Sequence, residues 1–256
     1  MSKVVNYLIF NDIHFPQEDK VRYKVALKIA KTVPNLAHIF LNGDIGEFAG
    51  FSTWPKHPGE SHQSIVEIEY MNAKFDELCK LFPDIPVTLI EGNHCYRFFR
   101  YIRDVAPQMW GLLNMPTILK FPERPRWNFV EYTTDQLVRC GKANLYLRHE
   151  PLAGGINHAK GTAEKSYVDT AYGHTHTWQT HSHRKFGPAP FVTRAYSLGW
   201  LGDKSKSCFD YRGTREAWIE GFTRVECHID TGAYSLEFID LRKLPVFYRG
   251  EMFDAK

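Results

Sequence analysis

Three short, almost wholly apolar runs, at residues 4–10, 37–41 and 86–90, each end abruptly in polar residues. Runs of this length that are apolar on both faces suit strands buried on both sides of a parallel sheet. The segments between them carry a helical period. Val21, Val25 and Ile29 recur at helical spacing over 18–32 and Val33-Pro34 stops the pattern. Ser64-Ile65-Val66-Glu67 has the form of a capping box, and Ile68, Met71, Phe75, Leu78 and Phe82 follow as an apolar stripe suited to core packing. A strand, a polar turn and a helix in repetition predict an α/β fold, in which ligands gather at the carboxyl ends of the strands.

The residues at those ends are metal-type. The first run passes into Asn11-Asp12-Ile13-His14, and because residues two apart in an extended segment share a face, Asp12 and His14 converge. The second closes with Asn42-Gly43-Asp44, with Glu47 three residues on. The third reaches Gly92-Asn93-His94, where Gly92 lets the backbone turn tightly. An amide oxygen can bind a hard cation, and an imidazole can bind one or carry a proton. Taken singly, each of these turns is equally accounted for as an ordinary polar helix cap.

Residues 95–103 read as a helix. Its Arg97 stands nearest the Gly92-Asn93-His94 turn, within reach of a phosphate as a planar fork, whereas Arg100 and Arg103 are expected in solvent. Residues 51–60 form a loop with two prolines and Trp54, and 107–127 an irregular, proline-studded insertion. The second half reads mainly as strands, at 144–148, 168–172, 191–198, 222–230 and 233–241, with a short helix near 162–165. The first of these strands ends in His149, followed by Glu150-Pro151 and the loop at Gly154-Gly155; the second ends in Gly173-His174-Thr175-His176. His181 and His183 continue the alternation as ordinary, partly exposed strand residues, and Asp230-Thr231-Gly232 predicts a hairpin.

Composition narrows the class. At 256 residues, 43% hydrophobic and 24% charged, the chain is globular, and a net charge of +3 does not by itself imply a nucleic-acid partner. Five cysteines without regular spacing argue for a reducing compartment. No signal-peptide pattern is evident, and no run approaches the roughly 18 apolar residues of a membrane span. With no repeat and no linker, the expectation is one soluble cytoplasmic domain over 1–256 without a membrane partner, of oligomeric state that the sequence leaves open.

In chain order the strand ends supply D-x-H, G-D, G-N-H, a lone His and G-H-x-H. This order resembles the calcineurin-like metallophosphoesterase family over residues 12–176. A looser likeness to small stand-alone members often encoded by bacteriophages rests on Gly92-Asn93-His94-Cys95-Tyr96-Arg97, on Gly173-His174-Thr175-His176 and on Trp218-Ile219-Glu220-Gly221-Phe222; for such a member the cytoplasm would be the host's. The resemblance implies a four-layer αββα sandwich of two mixed sheets with flanking helices, and two divalent transition metal ions, manganese first, with iron, zinc or nickel as alternatives. It implies that Asp12, His14 and His176 hold one ion, that Asn93, His149 and His174 hold the other, and that Asp44 bridges them. His94 would be the general acid, oriented by Glu47 where many relatives have Asp. Two departures stand out: Cys95 replaces an acidic residue, and Glu150 stands where relatives often have Gly.

The implied substrate is a phosphate ester. Over 200–220, Trp200, Phe209, Tyr211 and Trp218 interleave with Lys204, Lys206, Arg212 and Arg215, a pattern suited to the stacked bases and phosphates of a nucleotide or nucleic acid. A loop whose aromatics cover the sheet end accounts for it equally well. The reading from a different class is a non-catalytic metal-binding scaffold that presents this 200–220 surface to a partner.

Overall fold

A computed structural model of the chain describes residues 3–52, 64–209 and 215–255. From the amino terminus, β1 (Val4–Asn11), α1 (Lys20–Ala30), β2 (Leu36–Asn42), α2 (Ser64–Leu81), β3 (Val87–Ile90), α3 (Arg97–Val105), α4 (Met115–Ile118) and β4 (Trp127–Val130) alternate strand and helix. The second half follows as β5 (Val138–Arg139), β6 (Tyr146–Arg148), α5 (His158–Lys165), β7 (Thr170–Tyr172), β8 (Trp178–Lys185), β9 (Phe191–Leu198), β10 (Gly221–His228), β11 (Tyr234–Asp240), β12 (Val246–Tyr248) and β13 (Glu251–Phe253).

The strands build two large mixed sheets. One has the order β11-β10-β1-β2-β3-β4, with β1 to β4 mutually parallel and β10 and β11 antiparallel; the other has the order β5-β6-β7-β9-β8, parallel at its centre. Strand alternation sorts the core into layers. Leu8, Phe10, Ile39, Leu41, Val87 and Leu89 pack with Val25 and Ile29 of α1 and with Met71 and Phe75 of α2. The intervening Tyr7, Ile9, Phe40 and Ile90 face the other way and pack with Leu147, Ala171 and Leu198 of the second sheet. Beyond that sheet, Ala163 of α5 closes on Tyr172 and Ala195. The result is the expected four-layer sandwich, helices outside and two mixed sheets face to face.

Several local expectations change. The buried side of α1 is made by Tyr23, Val25, Ala26 and Ile29, while Val21 is 49% exposed. Val21 sits in the first turn, where Asp19 caps the helix by accepting from the amides of Val21 and Arg22 at 3.1 and 2.9 Å. Ser64 is already helical, and Glu67 accepts from the Phe48 amide instead of closing a capping box. Trp54 and most of its loop lie outside the described residues.

The insertion at 107–127 is better ordered than its prolines imply. Asn114 caps α4 by accepting from the Thr117 amide at 2.9 Å, and Met115, Leu119 and Phe121 are buried in the core. Buried Arg124 ties the segment to α2 by donating to the Asn72 carbonyl at 3.2 Å and to Asp76 at 2.6 Å. Its last residue, Trp127, opens β4. None of the helices, among the described residues, is long and apolar enough to cross a membrane.

Candidate metal centre

The polar turns of both sheets meet at one place. Where β1, β2 and β7 end, Asp12 (φ 45°), His14 (φ 55°), Asp44 (φ 42°), His174 (φ 64°) and His176 (φ 57°) adopt the left-handed backbone region. Side chains rarely enter that region, at a cost of order 1 kcal/mol or more each, and such strain gathers where a site demands it. Neighbouring turns lock these conformations: the His14 amide donates to the Asp44 carbonyl at 2.9 Å and the Gly173 amide to the His149 carbonyl at 3.0 Å. Gly92 and Gly173 leave room for the carboxylates. A Cβ on Gly92 would stand 2.3 Å from the Asp44 amide nitrogen, and one on Gly173 2.2 Å from Asp12 Oδ2.

Two groups of ligand atoms result. In the first, His14 Nε2 lies 3.2 Å from His176 Nε2 and 3.9 Å from Asp12 Oδ1, and His176 Nε2 lies 3.3 Å from the same oxygen. In the second, His149 Nε2 lies 3.1 Å from Asp44 Oδ2 and 2.8 Å from Asn93 Oδ1, which is in turn 2.9 Å from His174 Nδ1. Backbone amides orient the carboxylates: His94 N donates to Asp44 Oδ1 at 2.7 Å, and His174 N to Asp12 Oδ2 at 3.0 Å.

Both groups fit a divalent cation. Each could hold a metal ion, since its His and carboxylate ligand atoms lie within 4.8 Å of one another. Ligand atoms about 3 Å apart form the edge of a coordination shell with bonds of about 2.1 Å, and mixed nitrogen and oxygen donors without thiolate suit transition metals better than calcium. A third such group, His14, Glu47 and His94, is knit together by its own hydrogen bonds. Glu47 Oε2 lies 2.7 Å from His14 Nδ1 and 3.0 Å from His94 Nδ1, so both rings donate to one carboxylate. That leaves the Nε2 lone pair of His14 turned to the first group, the arrangement that metal-binding imidazoles favour.

The electrostatics show how tightly the cluster is coupled. Burial pushes the Asp12 carboxyl up to about 7, although His149 and His14 pull the other way. Burial also opposes ionisation of Asp44, but His149 and His94 outweigh it and hold that carboxyl well below its ordinary range. His149 is correspondingly raised to about 9, chiefly by Asp44 working against burial, while burial drives His174 down to about 3. An ionised Asp44 beside a protonated His149 is a site in which a proton holds the position of a cation, so metal uptake releases protons.

All seven expected ligands converge here, as do His94, Glu47 and Arg97. The Arg97 fork, expected to face a phosphate, is turned inward: Nη1 donates to the Glu47 carbonyl at 2.9 Å and to Glu47 Oε1 at 3.0 Å, and Nη2 to His94 Nε2 at 2.9 Å. Cys95 is buried with its thiol pushed up by burial, a packing residue. Glu150 accepts from the Tyr132 hydroxyl at 2.8 Å.

The described parts of the 200–220 segment cover the sheet end, the plainer of the two readings. Trp200, Phe209 and Trp218 are buried together, with Trp200 stacked on His176 at 4.7 Å and Phe209 edge-on to His14 at 5.3 Å. Lys204 pairs with Glu220 at 3.5 Å and Lys206 with Asp203 at 3.7 Å, while Tyr211 and Arg212 lie outside the described residues. One supporting residue carried no signal in the sequence. Gln136, in a motif-free stretch, accepts from the His149 amide at 3.3 Å and donates to the Glu91 carbonyl at 3.1 Å. Neither a scan against protein-family models nor a search of curated proteins finds a match for this chain.

Proposed function

We propose that the chain is a dinuclear metal-dependent phosphoesterase of the calcineurin-like kind that its motif order resembles. The observation that carries this reading is the convergence of two nitrogen-oxygen ligand groups in one buried cluster, with His94 tied to both through Glu47 and Asp44. Two divalent transition metal ions, manganese first, would activate water and neutralise phosphoryl charge there. Asp12, His14 and His176 would hold one ion, Asn93, His149 and His174 the other, and Asp44 would serve both.

His94 is the general acid. Its Nδ1 faces Glu47, so the proton given to the departing alkoxide leaves from Nε2. Arg97 donates to that same nitrogen in the structure, so it releases the contact when His94 carries its proton there. Arg97 is therefore a positioning residue for Glu47 and His94. The substrate is a phosphate ester with a nucleotide-like leaving group, monoester turnover at least matching diester turnover. All five cysteines are free thiols, which suits a cytoplasmic setting.

The test is hydrolysis of nitrophenyl phosphate and of bis-nitrophenyl phosphate with saturating manganese, before and after chelation. Activity on the monoester that chelation abolishes and manganese restores is expected. Activity on the diester alone would reverse the substrate preference, and no metal-dependent activity on either would leave the scaffold reading in its place.

A further inference from the structure

Trp200, Phe209 and Trp218, which the sequence offers for stacking a base, are buried beside the imidazoles of the first ligand group, but a second set of rings lies beside the other group. Tyr96 follows Asn93 and His94 in the same turn, and Tyr132 lies just beyond β4. Their ring centroids are 5.1 Å apart with planes inclined at 40°. Phe99 continues the series 6.3 Å from Tyr96, and Trp110, 59% exposed, stands 6.3 Å beyond it. Tyr96, Phe99 and Tyr132 are half-buried.

Two anchors fix the inner end of this ridge. The Tyr132 amide donates to Glu91 Oε2 at 3.0 Å, and its hydroxyl donates to Glu150 Oε1 at 2.8 Å. Glu150 immediately follows His149, whose Nε2 lies among the ligand atoms of the second group. An oriented carboxylate oxygen and adjoining aromatic rings therefore stand together at the rim of the candidate centre.

We propose that Tyr96, Tyr132 and Glu150 form a leaving-group subsite that takes a nucleoside, which would make the substrate a nucleoside monophosphate. This rests on the phosphoesterase reading. Tyrosine rings stack any base face, and an ionised carboxylate, which only accepts, selects base N–H groups or sugar hydroxyls. A carboxylate at this position also repels further phosphates, and the exposed Glu131 beside Tyr132 adds to that field. The subsite thus favours a single phosphate over a polyphosphate or a long strand.

The experiment compares kcat/KM for adenosine monophosphate, adenosine diphosphate and glycerol phosphate in the manganese-loaded protein, and measures binding of adenosine to the metal-free protein by tyrosine and tryptophan fluorescence. The nucleoside monophosphate should exceed glycerol phosphate by about tenfold or more. Tyr96→Leu should bring the two towards parity and weaken adenosine binding by a similar factor, whereas Tyr132→Phe, which keeps the ring, should retain most of both. Glu150→Gln should raise the diphosphate relative to the monophosphate. Equal kcat/KM for adenosine monophosphate and glycerol phosphate in the wild type, or equal losses on both in Tyr96→Leu, overturns the subsite and leaves the phosphoesterase reading standing. If neither ester is hydrolysed the phosphoesterase reading fails. In that event adenosine binding that Tyr96→Leu abolishes still identifies a base site, and no adenosine binding overturns it.

Discussion

Arg97 donates through Nη2 to Nε2 of His94 at 2.9 Å, while its Nη1 spans the carbonyl and Oε1 of Glu47. Glu47 Oε2 in turn receives Nδ1–H from both His94 and His14. One buried carboxylate thus sets the tautomer of a candidate ligand and of the candidate acid together. Burial works against its charge, but the two imidazoles outweigh burial and hold Glu47 well below the ordinary carboxylate range. Through this one carboxyl Glu47 meets two rings and a guanidinium.

Removing that guanidinium should cost stability as well as turnover. Arg97→Ala leaves a buried carboxylate short of its counter-charge, and the expected loss is roughly 3 kcal/mol in urea unfolding. Arg97→Lys restores a charge without the planar fork, so it should recover only part of the loss. If Arg97→Ala unfolds like the wild type and instead lowers monoester kcat/KM more than diester kcat/KM, the guanidinium acts on substrate and the positioning role is wrong.

Metal content should respond most to Asp44. Its Oδ2 lies 3.1 Å from His149 Nε2, and its Oδ1 is held by the amide of His94. Asp44→Asn removes a carboxylate held well below its ordinary range from a set of ligands whose other carboxyl, Asp12, is raised by burial. Elemental analysis of the manganese-loaded protein should show about two ions per chain in the wild type and a larger drop in this variant than in Asn93→Ala. Full occupancy in Asp44→Asn would remove the bridging assignment.

Gly43 tests the strain built into the turns. It sits at φ 78°, and a Cβ there would stand 1.8 Å from His149 Nδ1. Gly43→Ala therefore meets both an unfavourable backbone region and a ring that has no room to retreat, so destabilisation by more than about 1 kcal/mol is expected. Because the displaced ring is His149, manganese affinity should fall in parallel. A variant with wild-type thermal midpoint and wild-type manganese affinity would show that the turn relaxes freely.

The parts of the fold legible in the sequence are those where burial on both faces leaves a run of apolar residues. β1, β2 and β3 have that signature, and their carboxyl ends deliver Asp12, His14, Asp44, Asn93 and His94 to one cluster. β4 lacks it, because Trp127–Val130 is a half-exposed edge strand of mixed polarity. The direction of Arg97 was also hidden: helical spacing puts it one turn from His94, but only the packed structure shows Glu47 capturing the fork. Trp200 and Phe209 have the same spacing whether they stack a ligand or cover a sheet end, and contact with the His14 and His176 rings decides between the two for them. Tyr132 and Gln136 sit in a stretch with no motif at all, and join the site only through the backbone path beyond β4.

Glu67 should give stability a pH dependence distinct from the centre's own. It is buried in α2 with its carboxylate on the Phe48 amide, and burial lifts its pKa from the ordinary 4.5 to about 8. The folded chain therefore keeps a proton that the unfolded chain loses. This contribution is complete below about pH 4.5 and is lost as pH rises towards 8, a fall on the order of 5 kcal/mol. Glu67→Gln keeps an acceptor for the amide and does not ionise, so its unfolding free energy should be flatter between about pH 5 and 8. Parallel pH profiles for variant and wild type would mean that Glu67 is ionised in the fold.

His94→Ala separates acid catalysis from metal binding. The ring is held by Glu47 at one nitrogen and Arg97 at the other, and neither contact belongs to the two ligand groups. The variant should therefore retain its manganese while turnover on an alkyl phosphate falls roughly a hundredfold or more, the range for a positioned general acid. Nitrophenolate departs without needing a proton, so the loss on nitrophenyl phosphate should be much smaller. Equal losses on the two esters would show that His94 stabilises something other than the leaving group. Loss of manganese would instead make the ring a ligand, a role open to it because His94 Nε2 lies 3.8 Å from Asp44 Oδ2. The comparison of leaving groups, read beside the metal content of the same preparation, therefore decides between a proton donor and a fifth imidazole of the centre.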